Sequence, residues 1–284
     1  MPLRIFTNIS SLNSQRVLDI NNNMLGRSIS RIASGIRIQR AADDAAGLAI
    51  TESLRADTRV LRQGSRNLND GISLINTAEG ALGEQGSILI RLRELASQAA
   101  TGTIGQVERE TINLEFSALR TELDRIGVTT EFSGQKLLDG SLAAGAPDEL
   151  VLQVGVDSNI NNRINLNQEL DITSTSSSSL GFASENISTV AGALSAMDAL
   201  TSAIEQLITV RARVGAGQQS LDRALNTLNI SIENLTSAVS TIRDADLAAE
   251  ITDLTKNQIL VQSGAAMVSQ ANLNPQSVLT LLGG

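Results

Sequence analysis

Apolar residues recur along most of this chain at alternating steps of four and three, the mark of helices that pack against other helices. At the C-terminal end Leu247, Ile251, Leu254, Gln258, Val261, Ala265 and Val268 form a heptad seam with one polar interruption. Asn274 is positioned to cap a short last turn beginning at Pro275, followed by the apolar Val278, Leu279, Leu281 and Leu282. Near the N-terminus Leu18, Leu25, Ile29, Ile32 and Ile36 form a second stripe. Neither stripe is stable alone in water, so the two ends are expected to pair. Between them the pattern predicts a helix over 45–100, with Leu54, Leu61, Leu68, Ile72, Ile75, Leu82 and Leu89 in its seam. Fifty-odd residues at this rise make a rod of roughly 80 Å. A shorter helix follows over 106–126, carrying Ile112, Phe116, Leu119, Leu123 and Ile126 and stopping at Gly127.

The period of 3.5 is then lost. Gly134, Asp139-Gly140 and Gly145-Ala-Pro-Asp148 are turn chemistry, and Leu150, Leu152, Val154 and Val156 alternate, predicting a small β-hairpin region over 130–172. The stretch 173–184 opens with TSTSSSS and is expected to be a mobile, outward-facing surface loop. Helix resumes near Glu185 with Ile187, Val190, Leu194, Met197, Thr201, Ile204 and Ile208. Gly215 and Gly217 interrupt it and shift the phase by one before Leu221, Leu225, Leu228, Ile232, Leu235, Val239 and Ile242. The order reads nearly as a palindrome. The expected fold is mainly α: an elongated antiparallel helical bundle or coiled coil closed by both chain ends, with a small β region in the middle.

Composition sharpens this picture. Phe6, Phe116, Phe132 and Phe182 are the only aromatics, and the chain has no Cys or His. Thin helical seams suit such a residue set better than a thick core. The net charge is −8, but residues 1–42 carry six Arg against Asp19, while 243–284 hold Arg243 and Lys256 against Asp244, Asp246, Glu250 and Asp253. Opposite charge at the two ends favours mutual pairing over nucleic-acid binding, which needs concentrated cations and stacking aromatics. The Arg- and Ser-rich start also fits a transit peptide, but a structural use explains it better; it lacks the apolar block of a secretory signal. No apolar run is long enough for a membrane span.

No catalytic constellation is present. Without His or Cys there is no imidazole base, thiol nucleophile or soft metal set. Gly215-Ala-Gly217 lacks the third glycine of a dinucleotide loop, and Asp43-Asp44 reads as helix capping rather than metal chemistry. Sequons at Asn8, Asn186, Asn229 and Asn234 are no more than chance matches. No enzyme activity, metal or cofactor is expected.

Seven ordered blocks carry a family resemblance. Ser34 to Ile50 (SGIRIQRAADDAAGLAI) resembles the N-terminal signature of bacterial flagellin, as do Thr77 to Gly80 (TAEG), Arg91 to Gln98 (RLRELASQ) and Glu131 to Gly140 (EFSGQKLLDG). Ile242 to Asp246 (IRDAD), Gln258 to Leu260 (QIL) and Gln270 to Leu282 (QANLNPQSVLTLL) resemble its C-terminal end. The resemblance implies a subunit that stacks helically into the flagellar filament around a central channel. It implies an inner, channel-lining domain of residues 1–42 with 243–284, whose ends order on assembly, and an outer helical domain of 43–242. Only about 45 residues separate Gly140 from Glu185, so the large variable outer domains of long flagellins are absent. The self-assembly seams expected are Leu18, Leu25, Ile29, Ile32, Ile36, Leu247, Ile251, Leu254, Val261, Val268, Leu279 and Leu282.

The resemblance also implies passage through a type III export apparatus with an export chaperone, and contacts with cap and hook-associated proteins. The filament would lie outside the cell, or in the periplasm where flagella are internal. Toll-like receptor 5 grips the family's outer helices, and its pattern maps to Arg91, Leu95 and Glu115; Leu95 also reads simply as seam and Arg91 as a solvated cation. A hook–filament junction protein and a secreted helical adhesin or effector are the alternative readings. The short middle and the QKLLDG block favour flagellin over the first.

Overall fold

The computed structural model describes the backbone of residues 7–282 and the side chains of residues 7–273. In chain order come α1 (Ile9–Ser34), α2 (Ala45–Ala100), α3 (Gln106–Thr129), β1 (Glu131–Phe132), β2 (Gln135–Lys136), β3 (Val151–Gln153), β4 (Arg163–Asn165), α4 (Leu166–Leu170), α5 (Val190–Arg243) and α6 (Leu247–Leu282). The chain divides into two compact units, Met1–Ala56 with Asn234–Gly284, and Asp57–Glu233. The 42/43 and 242/243 boundaries expected from sequence fall beside the links that precede α2 and α6, whereas the units divide within α2 and α5.

The unit of residues 57–233 has one apolar core, built by α2 from Leu68 onward, α3, α5 and the segments between them. Leu68, Ile75, Leu82, Leu89, Leu92 and Leu95 are fully buried along α2, and Phe116 and Leu123 along α3. The corner after α2 is closed by a buried cation. Arg109 Nε donates to Ala99 O (2.8 Å) and its Nη2 to Ile104 O (3.0 Å), placing positive charge where the α2 macrodipole ends. Helix α3 does not stop at Gly127. It runs on to Thr129, because Gly127 does not take the left-handed conformation of a C-cap glycine; Thr130, in extended backbone, ends the helix with its N–H on Ile126 O.

Helix α5 corrects the sequence reading most clearly. Its buried face is Ala193, Ala196, Leu200, Ala203, Leu207, Val210, Val214, Gly217 and Leu221, with steps of three and four and no slip. The helix passes unbroken through Gly215 and Gly217. Leu194 and Ile208, expected in the seam, are 54% and 59% exposed. Small alanines occupy the true seam because they let neighbouring helices approach closely. A hydrophobicity pattern weighted toward large residues therefore follows the wrong stripe.

Between α3 and α5 lie two small antiparallel hairpins, β1 with β2 and β3 with β4. The first turns on Ser133 and Gly134, both at positive φ, the combination a tight two-residue hairpin needs. Asn167, almost fully buried, ties the region together: its Nδ2 donates to Ser141 O (2.9 Å) and Asp148 O (3.2 Å), and its Oδ1 accepts from Leu150 N (2.8 Å). The Ser-rich stretch is not a free loop. Thr175, Ser177, Leu180 and Phe182 are buried, and Asp124 on α3 accepts from Ser177 N (2.6 Å) and Ser177 Oγ (2.7 Å). Two apolar anchors and a carboxylate clamp hold a segment whose composition alone reads as mobile.

Two glycines on these helices should respond in opposite ways. A Cβ on Gly64 would meet the carbonyl oxygen of Val154, backbone that cannot swing aside, whereas nothing lies within 4 Å of one on Gly215. Gly64→Ala should lower the stability of this unit by about 1–3 kcal/mol. Gly215→Ala should be neutral or stabilise by up to about 1 kcal/mol. Chemical denaturation of both variants checks this.

Candidate functional site

In the unit of residues 1–56 and 234–284, α1 and α6 pack against each other. Asn8 begins α1 by accepting from Ser11 N (3.0 Å), and Gly35 ends it in the left-handed region at φ 69°. The chain then pairs with itself: Ile36 bridges Asp244, Arg37 N donates to Arg243 O (2.7 Å) and Ala245 N to Gly35 O (2.9 Å). Asp44 caps α2 by accepting from Gly47 N (2.9 Å), while Asp43 closes the linking loop by accepting from Arg40 N (3.1 Å). Arg243 Nη1 reaches Glu52 Oε1 at 2.8 Å. The Glu52 carboxyl is held below the ordinary carboxylate range, first by its hydrogen bond from Arg55 and then by the charges of Arg55 and Arg243.

The contacts between α1 and α6 fix an antiparallel register. Asn8 Nδ2 donates to Ala271 O (2.7 Å), Ser11 Oγ to Asn272 Oδ1 (2.6 Å), Asn257 Nδ2 to Ser28 Oγ (3.3 Å), and Arg31 lies 3.7 Å from Glu250. On α1 the inward positions are Ser11, Ser14, Leu18, Asn21, Leu25, Ser28 and Ile32. On α6 they are Glu250, Leu254, Asn257, Val261, Gly264, Val268 and Ala271. Both run in strict steps of three and four, so large aliphatics alternate with polar or small residues. Arg31–Glu250 is the one ion pair between α1 and α6 among the described residues, so charge complementarity between these two helices rests on a single contact.

This register places each expected seam residue. Leu18, Leu25, Ile32, Ile36, Leu254, Val261 and Val268 are half-buried, while Ile29, Leu247 and Ile251 are exposed. Gln258 and Ala265 also face out. Leu279 and Leu282 lie outside the described side chains, as does the expected Asn274 cap; the backbone there is one continuous helix through Pro275 to Leu282, without the expected break. Sequence reading missed the polar layers at Ser11, Asn21, Ser28, Glu250 and Asn257. The seven-residue spacing of Asn21 and Ser28, and of Glu250 and Asn257, was the signal available.

The two edges of the pair differ. In an antiparallel pair, like heptad positions flank the seam on the same side. One edge carries Asn8, Gln15, Asn22, Gln258 and Asn272, with Ile29 and Ile251 near the link. The other carries Val17, Met24, Leu260 and Met267, with Ile20 beside them, all exposed, and Ser10 and Asp253 at its two polar positions. One edge is mostly amide and the other mostly hydrocarbon.

Far along in the other unit, Arg91 forks onto Glu115. Its Nε and Nη2 lie 3.0 and 2.8 Å from Glu115 Oε1, and its Nη1 lies 3.1 Å from Glu94 Oε2. Hydrogen bonds from Glu115 and then Glu94 make the guanidinium hold its proton more tightly than usual. Leu95, by contrast, is 1% exposed and belongs to the core. Among the described residues no group of three or more His, Cys, Asp or Glu is placed to hold a metal, and no helix is long and apolar enough to cross a membrane.

Two family models match the chain: the bacterial flagellin N-terminal helical region over residues 5–143 and the bacterial flagellin C-terminal helical region over 197–282. The chain belongs to the bacterial flagellin family. It is 43% identical over 277 residues to a flagellin of Halalkalibacterium halodurans, covering 97% of this chain and 98% of that one. It is 39% identical over 283 residues to the flagellar filament 30.7 kDa core protein of Treponema maltophilum, covering 97% and 98%. A putative flagellar hook-associated protein from Vibrio parahaemolyticus shares the fold, at TM-score 0.57 and 14% identity over 71% of this chain and all of that one. This flagellin is therefore a structural subunit that polymerises into the bacterial flagellar filament, and not an enzyme. The junction-protein and adhesin readings are not favoured.

The polar layers weaken the α1–α6 seam of this flagellin, and filling them should strengthen it. Ser28→Leu combined with Asn257→Leu replaces a 3.3 Å hydrogen bond by a buried aliphatic pair. In the dilute, unassembled chain this should raise amide-exchange protection across α1 about tenfold or more. Unchanged protection would show that the seam is not what limits order in these helices.

Proposed function

We propose that the α1–α6 pair forms the inner, channel-lining layer of the filament and that residues 57–233 form the outer layer. The observation that carries this reading is the hydrocarbon edge of the pair: Val17, Ile20, Met24, Leu260 and Met267 are left in water by a seam that takes in Ser11, Asn21, Ser28 and Asn257 instead. Side chains of this kind are each stabilised by about 1.5–3 kcal/mol on full burial, and neighbouring copies in a stack supply that burial. The amide edge offers hydrogen bonds to neighbours on the other side. The seam residues expected from sequence thus divide into two roles. Leu18, Leu25, Leu254, Val261 and Val268 hold the two ends together, and Ile29, Leu247 and Ile251 are free to meet other subunits.

Weak pairing of the ends also suits passage of the chain unfolded through a type III export apparatus, with a chaperone covering exposed hydrocarbon before assembly. Cap and hook-associated proteins are the partners expected at the ends of the polymer. A double substitution tests the layer assignment. Ile20→Asp with Leu260→Asp should abolish seeded polymerisation, seen by electron microscopy, while the unit of residues 57–233 keeps its thermal transition. Filaments of normal length from this variant would remove the hydrocarbon edge from the assembly surface.

A receptor site on the outer unit is supported by the exposed Arg91–Glu115 fork. Toll-like receptor 5 would meet the fork directly, and Leu95 would act from beneath by fixing α2 against the core. Arg91→Ala in the monomer should lower receptor signalling about tenfold or more, the loss typical of an interface arginine. Unchanged signalling in a reporter cell assay would count against the site.

A further inference from the structure

We infer that Met24 and Met267 are a pair of oxidation sites at which a peroxide-class oxidant reversibly blocks assembly of the free chain. The inference rests on the assembly reading above. Each helix of the terminal pair contributes one methionine to the hydrocarbon edge, and they are 47% and 62% exposed. Both stand at the heptad position that flanks the seam on that side, so they share one edge although 243 residues apart in sequence. The thioethers are therefore accessible in the free chain and covered by neighbours in the polymer. Met197, in the other unit, is half-buried against the core.

The chemistry is a single oxygen transfer. The thioether sulfur attacks one peroxide oxygen, a sulfur–oxygen bond forms and the oxygen–oxygen bond breaks. Sulfur loses two electrons, and the second oxygen accepts them and a proton to leave as water or an alcohol. The product sulfoxide is a polar, chiral acceptor in place of a flexible apolar side chain, a change that disrupts methionine-bearing interfaces. A sulfoxide there puts a strongly polar acceptor among Val17, Ile20 and Leu260, where the free chain has only apolar surface to bury against a neighbour. Methionine sulfoxide reductases reverse the step.

The test uses the full-length protein and hydrogen peroxide. Free chain is oxidised until peptide mass spectrometry shows sulfoxide at positions 24 and 267, then offered to filament seeds. Wild-type protein should lose about tenfold or more of its growth rate relative to its own untreated sample, the size of effect one poorly satisfied interface group produces. Treatment with sulfoxide reductases should restore it. The M24L/M267L variant, compared with its own untreated sample so that any effect of the leucines themselves cancels, should lose less than about twofold. In preformed filaments, oxidation at both positions should be slowed about tenfold or more. Undiminished growth of doubly oxidised wild type, or equal loss in M24L/M267L, would overturn the inference alone. Equal oxidation rates in filament and free chain would do the same. Failure of untreated wild type to polymerise would instead overturn the assembly reading beneath it.

Discussion

The arrangement of the terminal helices depends on one constraint: the faces that α1 and α6 turn toward each other interleave aliphatic with polar layers, while further large apolar side chains are left facing outward. Ser11, Asn21, Ser28, Glu250, Asn257 and Gly264 take inward positions, and Val17, Ile20, Met24, Leu260 and Met267 line one outer edge. A two-helix contact is a thin structure in any case, and helices in proteins draw most of their stability from such packing. Polar layers make it thinner, but they also fix the register. In the observed register Asn257 meets Ser28 and Ser11 meets Asn272, so each of these polar groups has a partner across the pair.

The unit of residues 57–233 follows the opposite logic. Its helices bury Leu, Ile, Phe and Ala in one continuous core, and it turns its polar groups to specific ends. Arg109 closes the corner after α2, Asn167 joins the turns around the second hairpin, and Asp124 clamps the serine-rich segment. The unit also leaves Ile90, Val107, Leu114 and Ile208 exposed on its surface.

Legibility in the sequence tracks this division. Helices α2 and α3 could be read nearly to their ends, because large residues fill their seams and Asp44, Gly102 and Gly105 punctuate them. Helix α5 was misread over its first half because two stripes compete there. Leu194 and Ile208 outweigh Ala193, Ala196 and Ala203 on any hydrophobicity scale, yet the alanines are inside. The apparent slip at Gly215 and Gly217 is a switch from the large-residue stripe to the buried one, with no change of phase in the helix. The serine-rich segment was opaque for another reason: Asp124, which holds Ser177, lies 53 residues away in sequence. In the terminal pair the same ambiguity recurs on a finer scale, since Ile251, Gln258 and Ala265 sit one position beyond Glu250, Asn257 and Gly264. Where two faces of a helix both meet protein, a pattern cannot say which meets its own chain.

That ambiguity has an energetic counterpart. Five half-exposed aliphatic and methionine side chains along one edge are worth on the order of 5 kcal/mol when a neighbour covers them. Bringing two free molecules together costs about 4–15 kcal/mol in lost translation, rotation and side-chain freedom. One such edge alone therefore at best roughly offsets that cost. An incoming subunit that meets several neighbours at once pays the association cost a single time and gains burial from each of them, together with hydrogen bonds along the amide edge. The same balance makes association depend on how many neighbours a subunit meets at once.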